Sequence, residues 1–248
     1  FLSGFGIPIA KSVLLRKGEK MSTENIVDKL GLPCFVKPNG GGSSYGTSKV
    51  KCNAEMEPAI QAALVESDEV IIESFMEGTE ITCGMYKTHE KTVVFPITEV
   101  VPENEFFYYD AKYNGQVSEI TPARIPDEVR DAVQALTLKI YDILGCKGII
   151  RVDYILTSLE AKGEEAKGME INLLEVNTTP GMTATSFIPQ QVKAAGLDIK
   201  DVLSDIIEPY TAGNGLELSG NEFAVKIAEG SEAFLSVDEN GLKVSGIQ

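Results

Sequence analysis

Residues 171–181 read INLLEVNTTPG, an aliphatic stretch that runs directly into polar and turn-forming residues. The aliphatic part predicts a buried β-strand, and residues two apart in a strand point to the same face. Glu175 and Asn177 therefore project together, while Leu174 and Val176 pack the opposite way. The proline and glycine of TTPG predict a sharp turn at the end of the strand.

A second polar pair lies on the strand predicted at residues 147–156, where Arg151 and Asp153 have the same spacing. The polar, turn-like segment between the two strands predicts a hairpin, which would place all four polar side chains on one face. Three of them offer oxygen ligands of the kind that Mg2+ prefers, and Arg151 could hold a phosphoryl group or an oxyanion. Either pair alone is more typical of a solvated face with salt bridges, but the two together favour a metal site.

Three further stretches carry candidate ligand-binding residues. The glycine-rich loop at residues 39–48 follows Lys37, and its chemistry suits phosphate binding as well as it suits a flexible hairpin loop. Glu73 and Glu80 flank a linker that could bind ribose hydroxyls, although a solvated linker between two lobes is the alternative. The aromatic cluster FFYYDAKY at residues 106–113 predicts either a core plug or a lid over a ligand.

Composition narrows the class of protein. The chain has 248 residues, of which 43% are apolar and 24% charged, as is typical of globular proteins, and its net charge of −15 argues against a nucleic-acid partner. Because no apolar run could cross a bilayer and no signal peptide opens the chain, we expect no membrane partner and a cytoplasmic location. The four scattered cysteines argue against a thiolate zinc site and a disulfide scaffold.

Periodicity and turn signals predict both helices and strands. Helices are expected at 54–67 and 126–145 and in two short segments before residue 208, and further strands at 32–38, 69–75, 80–88 and 91–100. After Glu208 glycines become frequent and the alternating apolar runs are short. Residues 209–248 are therefore expected to form a separate β-rich segment.

Five segments in one order resemble the D-alanine–D-alanine ligases of the ATP-grasp superfamily: VKPNGGGSSYGTSKV, IIESFMEGTEIT, FFYYDAKY, RVDYIL and LLEVNTTPGMTATSFIP. The resemblance covers residues 1–208. It implies the α+β ATP-grasp fold, in which a small lobe at 1–76 and a large lobe at 77–208 hold a nucleotide between them. The large lobe would carry the metal and substrate site. The β-rich tail at 209–248 resembles repeats of phage tail-fibre proteins, and a natural fusion, an artificial fusion and a misassembled reading frame all stay open.

The resemblance implies an ADP-forming ligase that serves peptidoglycan synthesis. ATP would phosphorylate the carboxylate of one D-alanine, and the amine of a second D-alanine would attack the acyl phosphate to give D-alanyl-D-alanine. Two Mg2+ ions, for which Mn2+ could substitute, would bridge the phosphates, and a homodimer is compatible with the family. Another ATP-grasp carboxylate–amine ligase and a non-catalytic nucleotide-binding or structural fragment stay open as alternatives. Nothing in the chain matches the family's N-terminal domain, so an N-terminally truncated ligase is expected.

The family's functional positions fall on three sets of residues in this chain. The catalytic set comprises Ser43, Tyr113, Arg151, Gly181 and Ser186. The nucleotide-binding set comprises Lys37, Ser43, Ser44, Glu73, Ser74, Met76, Glu80 and Lys112. The metal set comprises Asp153, Glu175 and Asn177.

Within these sets the resemblance implies individual roles. Arg151 and the Gly181 backbone would stabilise the oxyanion, and Ser186 would bind the carboxylate of the second D-alanine. Lys112 and Tyr113 would belong to the lid over the reaction centre, and the tyrosine favours D-alanine over a depsipeptide-forming relative.

Overall fold

The chain combines helices with antiparallel sheets, which confirms the predicted α+β class. The structure is a computed structural model that describes residues 1–42, 44–102, 117–159 and 168–207, together with four short strands between 216 and 244. Three of the predicted site residues, Ser43, Lys112 and Tyr113, lie outside the described residues, as does the aromatic cluster at 106–113.

The first sheet has four strands, in the order β1-β4-β2-β3. They are β1 (Ser12–Arg16), β2 (Cys34–Pro38), β3 (Ser48–Val50) and β4 (Glu69–Ser74). Helices α1 (Thr23–Leu30) and α2 (Asn53–Glu66) cover one face, where Val36 and Ile72 pack against Ile26 and Met56. The alternate residues of these strands, such as Phe35 and Lys37, are only partly buried on the other face.

The second sheet has six strands: β10-β9-β5-β7-β8 in order, with β6 also pairing β5. They are β5 (Thr79–Lys87), β6 (Thr92–Val94), β7 (Thr98–Pro102), β8 (Val117–Ile120), β9 (Ile150–Ser158) and β10 (Met169–Asn177). Helix α3 (Asp127–Ile143) packs Val133 and Ile140 against Val152 and Tyr154 on one face. The opposite face carries the polar residues described below.

Two short helices complete the globular part. Helix α4 (Phe187–Ala194) and helix α5 (Ile199–Ile207) enclose a small core in which Ile188 and Val202 meet Tyr86 and Phe95. The Tyr86 hydroxyl donates to Asp205 at 2.6 Å, and burial together with this carboxylate raises the pKa of the tyrosine. These contacts fix both helices against β5 and β6.

The strand predicted at residues 91–100 is wrong as a single element. It is divided into β6 and β7 by residues 95–97. Pro96 has no N–H and cannot continue the ladder of hydrogen bonds, so the pairing with β5 stops and resumes beyond it. Elements that the sequence patterns did not indicate are the short 3-10 helix at Leu2–Phe5, β1, α1, β3 and β8.

The described part of the tail forms two separate hairpins. Strand β11 (Leu216–Ser219) pairs with β12 (Glu222–Val225), and β13 (Leu235–Asp238) pairs with β14 (Gly241–Val244). A search of the described ranges for a helix long and apolar enough to cross a membrane finds none.

Candidate functional site

Arg151 and Asp153 lie on β9 beside Glu175 and Asn177 on β10, in the predicted hairpin arrangement. The two strands are antiparallel, and Glu175 faces Asp153 while Asn177 faces Arg151. A β-bulge is responsible for this register, because the pairing shifts by one residue between Leu173 and Glu175. Without the shift Glu175 would oppose Val152 and point into the core.

Because of the bulge, the packing of β10 differs from the prediction. Leu173, rather than Leu174, packs with the core on the α3 side of the sheet, and Val176 joins that core beyond the bulge. Leu174 is the extra residue that reverses which face the following side chains occupy. Glu175 and Asn177 therefore lie on the face opposite the core, where Glu175 is next to Asp153.

The four side chains form one hydrogen-bonded cluster. Arg151 donates twice to Asp153, from Nε to Oδ1 and from Nη2 to Oδ2, both at 2.8 Å. The Asn177 amide donates to Asp153 Oδ2 at 3.3 Å and to Glu175 Oε1 at 3.1 Å. Arg151 Nη2 lies 3.8 Å from Glu175 Oε1. Asp153 is therefore held by two neighbours, while Glu175 is the more exposed carboxylate, with 56% of its side chain accessible.

The electrostatics of the cluster centre on Arg151. Burial lowers the pKa of this guanidinium, but the hydrogen bonds to Asp153 and the charges of Asp153, Glu175 and Glu80 outweigh burial and raise its pKa above the ordinary value. Arg151 consequently stays charged, and three carboxylates surround it. A site with this surplus of negative charge attracts a cation.

The donor set suits a hard divalent cation. Asp153 and Glu175 supply two carboxylates, and Asn177 supplies an amide oxygen once its side chain turns. Thr82 on β5 is the register partner of Asp153 on β9. Its Oγ1 is buried and has no hydrogen-bond partner among the described residues. The described ranges hold no group of three or more His, Cys, Asp and Glu that could bind a metal, so a cation here would need the amide and substrate oxygens as well.

The loop after β10 brings Gly181 and Ser186 together. A Cβ atom at Gly181 would lie 2.8 Å from Ser186 Oγ, so a larger residue here would require the serine side chain to shift. Ser186 Oγ lies 2.8 Å from Thr183 Oγ1, and its N–H donates to the Thr183 carbonyl oxygen. The next residue, Phe187, stacks under Arg151, with 5.1 Å between the guanidinium carbon and the ring centroid. The loop therefore meets the polar cluster through Arg151.

A second cluster lies on the partly exposed face of the four-stranded sheet. Lys37 on β2 forms a salt bridge with Glu73 on β4, and both side chains are partly buried. Phe35 and Phe75 lie beside this pair with ring centroids 6.0 Å apart, and Lys49 stands 4.0 Å above the Phe75 ring. Burial lowers the pKa of Lys49, with a further lowering from Lys51 and an opposing effect from Glu77.

The remaining predicted residues lie around these clusters. Ser74 Oγ accepts a hydrogen bond from the Lys11 backbone at 3.1 Å, and Met76 is half-buried between β4 and β5. Ser44 adopts a left-handed backbone conformation with φ of 59° in the turn before β3. Glu80 is the second residue of β5 and adds its charge to the field around Arg151. The predicted residues that the structure describes thus lie on or beside the two sheets.

Sequence reasoning missed Phe187, Thr82 and Lys49 as members of these clusters. Phe187 directly follows a predicted site residue, but only the fold shows that its ring meets Arg151. Thr82 had a detectable signal, because it lies two residues after Glu80 and therefore shares its face of the strand. Lys49 on β3 is the register partner of Phe35 on β2. This pairing could not be predicted from sequence, because β3 is short and follows a glycine-rich loop.

Comparison with known proteins finds a consistent set of relatives. The sequence profile of a family described as "D-ala D-ala ligase C-terminus" matches residues 1–208. The D-alanine–D-alanine ligase of Bacteroides fragilis is 65% identical over 208 residues, which cover 84% of this chain and 61% of that protein. The enzyme of the same name from Phocaeicola vulgatus is 62% identical over the same coverage. The chain thus spans about three fifths of the length of these relatives.

Solved structures agree with the sequence relatives. The VanG D-Ala:D-Ser ligase of Enterococcus faecalis has a TM-score of 0.71 at 34% identity, covering 85% of this chain and 59% of that one. The D-alanine–D-alanine ligase of Bacillus anthracis, complexed with ATP, has a TM-score of 0.66 at 30% identity, covering 84% of this chain and 62% of that one. The expected ATP-grasp fold is thereby confirmed.

Proposed function

The chain belongs to the D-alanine–D-alanine ligase family, and from that premise we propose that it binds ATP with Mg2+ and takes part in joining two D-alanines through an acyl phosphate. Because the chain spans 61% of the length of its relatives, this activity is an inference from family and geometry. The observation that carries it is the convergence of Arg151, Asp153, Glu175 and Asn177 on one face of the β9–β10 hairpin.

Asp153, Glu175 and Asn177 would hold the magnesium. When bound, the ion would neutralise phosphate charge and polarise the phosphoryl oxygens. Supporting this proposal, Arg151 pairs with Asp153, and the Asn177 amide bridges both carboxylates. All three acidic or amide side chains are thus held in place by neighbours on the same hairpin.

Arg151 would orient the transferring oxygen atoms. Its guanidinium is fixed by Asp153 on one side and by the Phe187 ring beneath, so its position costs little reorganisation during reaction. In the proposed reaction the γ-phosphoryl group passes to the carboxylate of the first D-alanine and ADP leaves. The amine of the second D-alanine then attacks the carbonyl carbon, and phosphate leaves with the bonding electrons.

Lys37 and Glu73 would serve the nucleotide from the four-stranded sheet. Lys37 would contact ATP phosphate, and Glu73, Ser74 and Met76 would surround the adenine. Glu80 would bind the ribose hydroxyls. Supporting this proposal, Lys37 and Glu73 are paired and partly buried, so each charge is held in one place before a ligand arrives. Of the residues outside the described ranges, Ser43 would join the active-site hydrogen bonds, while Lys112 and Tyr113 would belong to the lid.

The second substrate would meet the loop before α4. Ser186 would bind the carboxylate of the second D-alanine, and the Gly181 backbone would face the oxyanion. Supporting this placement, a Cβ at Gly181 would lie 2.8 Å from Ser186 Oγ, and Phe187, the residue after Ser186, stacks on Arg151. Cytoplasmic location, where ATP is supplied, and a homodimer are further proposals, and sedimentation of the purified chain tests the dimer.

The experiment is ATP turnover with defined amino acids. Phosphate release and dipeptide formation are measured with ATP, Mg2+ and D-alanine, and with D-serine as a competing nucleophile. We expect D-alanyl-D-alanine and loss of turnover in Glu175→Gln. Asp142→Asn is the matched control, because it removes a carboxylate that pairs with Lys87 on the surface, and it should leave turnover unchanged.

Two results separate the alternatives. Nucleotide binding without D-alanine-dependent phosphate release would favour the non-catalytic fragment. Turnover with another amine or carboxylate in place of D-alanine would favour a different ATP-grasp ligase.

A further inference from the structure

The ladder of hydrogen bonds on one edge of β5 has a gap. Strand β7 pairs with β5 as far as Thr82, and β6 begins to pair at Met85. Cys83 and Gly84 therefore face residues 95–97, where Pro96 cannot donate. Phe95 N–H reaches across, to the Gly84 carbonyl oxygen at 2.9 Å. The Thr82 carbonyl and the Gly84 N–H need partners from elsewhere, because both are buried.

The side-chain amide of Gln191 fills this gap. Its Oε1 accepts from the Gly84 N–H at 3.0 Å, and its Nε2 donates to the Thr82 carbonyl oxygen at 3.0 Å and to Thr98 Oγ1 at 3.1 Å. One amide thus replaces the peptide group that an unbroken neighbouring strand would have supplied. Gln191 is completely buried, so these bonds have no competition from solvent.

This contact seats helix α4 against the sheet beside Arg151. Gly84 is the register partner of Arg151 across β5 and β9. The helix lies so close that a Cβ at Gly84 would come within 2.4 Å of Ile188 Cδ1 and 2.7 Å of Gln191 Oε1. Ser186 immediately precedes the helix, only about 7 Å along its axis from Gln191 at 1.5 Å per residue. Phe187, the first helical residue, stacks on Arg151.

We propose that Gln191 is a positioning residue that sets where Ser186 and Phe187 stand relative to the Asp153 cluster, and through Phe187 sets the Arg151 guanidinium. The inference rests on the proposed function for its catalytic consequence, but its structural claim can be measured without turnover. Losing the three amide contacts releases α4 from β5 and β7. The serine and the guanidinium then move apart from the metal-binding carboxylates.

The structural arm uses nuclear magnetic resonance of the full chain. In the unsubstituted chain the Gly84 N–H and the Gln191 side-chain amide protons should exchange slowly with solvent. In Gln191→Leu the backbone signals of Ser186 and Phe187 and the Arg151 Nε–H signal should shift. Thr137→Val is the matched control: it removes a fully buried hydroxyl that meets Tyr154 on the other face of the sheet, and these signals should stay in place.

Each outcome decides the proposal. Unshifted Ser186, Phe187 and Arg151 signals in Gln191→Leu, or fast exchange of the Gly84 N–H, would overturn it. If Gln191→Leu does not fold, Gln191→Glu retains an acceptor for Gly84 but loses the amide donors, and the same signals should still shift. Unshifted signals in a folded Gln191→Glu would equally overturn the positioning role.

The kinetic arm separates this inference from the proposed function. We expect Gln191→Leu to raise the KM for the second D-alanine and lower kcat/KM by about 10- to 100-fold, as misplacement by an ångström does, while Mg-ATP affinity stays within about twofold. If the unsubstituted chain has no D-alanine-dependent turnover, the proposed function fails and the resonance arm alone decides on Gln191. If it turns over and Gln191→Leu does so equally well, the inference fails.

Discussion

Replacing Asp153 by asparagine separates the structural role of this carboxylate from its proposed role as a metal ligand. Asp153 is only 4% exposed and accepts two 2.8 Å hydrogen bonds from Arg151, which is itself 16% exposed. Removing one partner of a buried ion pair costs about 3–5 kcal/mol. Asparagine keeps one oxygen acceptor for Arg151, worth about 1 kcal/mol, so we expect the free energy of unfolding to fall by about 2–4 kcal/mol.

Glu175→Gln is the matched comparison. This carboxylate belongs to the same proposed metal site, but it is 56% exposed and stands 3.8 Å from Arg151. Ion pairs this exposed contribute about 0–1 kcal/mol because water and salt screen them. Glutamine also retains an oxygen for the Asn177 amide, so we expect little change in the free energy of unfolding.

Thermal unfolding measures both effects in one assay. At about 2–4 °C per kcal/mol for a domain of this size, Asp153→Asn should lower the Tm by about 4–16 °C, and Glu175→Gln by less than about 2 °C. Adding Mg-ATP should raise the Tm of the unsubstituted chain, since a ligand that binds the folded state stabilises it. Both variants should lose this increase, although only one of them is destabilised without ligand.

Two results would refute this reasoning. Equal destabilisation by the two substitutions would show that the Arg151 pair does not have the buried character described here. A Tm increase with Mg-ATP in both variants that matches the unsubstituted chain would show that neither carboxylate contributes to metal-dependent binding.

Three further predictions follow from other contacts. Gly84→Ala should lower the free energy of unfolding by about 1–3 kcal/mol in urea titrations, because its Cβ would lie 2.4 Å from Ile188. Thr82→Val should raise that free energy by about 1 kcal/mol without ligand, because its buried hydroxyl lacks a partner among the described residues. Hydrogen bonds from Arg124 lower the pKa of Glu99, so their stabilisation is present above the ordinary glutamate pKa and lost as pH falls through the folded value. Glu99→Gln should therefore flatten the acid side of the stability profile.

Each of these predictions has its own contrary result. Unchanged urea midpoints in Gly84→Ala would mean that α4 can move away from β5 at no cost. A destabilised Thr82→Val chain would mean that the hydroxyl has a partner, such as an ordered water. If Glu99→Gln does not alter the acid side of the stability profile, the Glu99–Arg124 pair does not control acid unfolding.

The candidate metal cluster could be predicted from sequence because its residues are close along the chain. Alternation places Arg151 and Asp153 on one face, and the polar connection indicates a hairpin, which together bring Glu175 and Asn177 opposite them. The bulge could not be predicted, since nothing in the run INLLEVN marks which leucine is extra. The predicted shared face is correct only because this irregularity reverses the alternation at Leu174.

Elsewhere the predictions failed for identifiable reasons. Helix α1 was missed although Ser22 caps it and accepts from the Asn25 N–H, because its few apolar residues give a short periodic signal. The single strand at 91–100 was wrong because Pro96 outweighs the β-branched residues around it. Gln191 gave no signal at all, since its role depends on a gap in a sheet more than 90 residues earlier in the chain.

Calorimetric titration of the chain with ATP, in the presence and absence of Mg2+, tests the central claim most directly. The paired side chains of β9 and β10 predict that binding requires Mg2+ and is abolished by the Asp153→Asn, Glu175→Gln double variant in folded protein. Equal binding heats with Mg2+ and with a chelator, or an unaffected double variant, would contradict the claim that these strands share a divalent cation with the nucleotide.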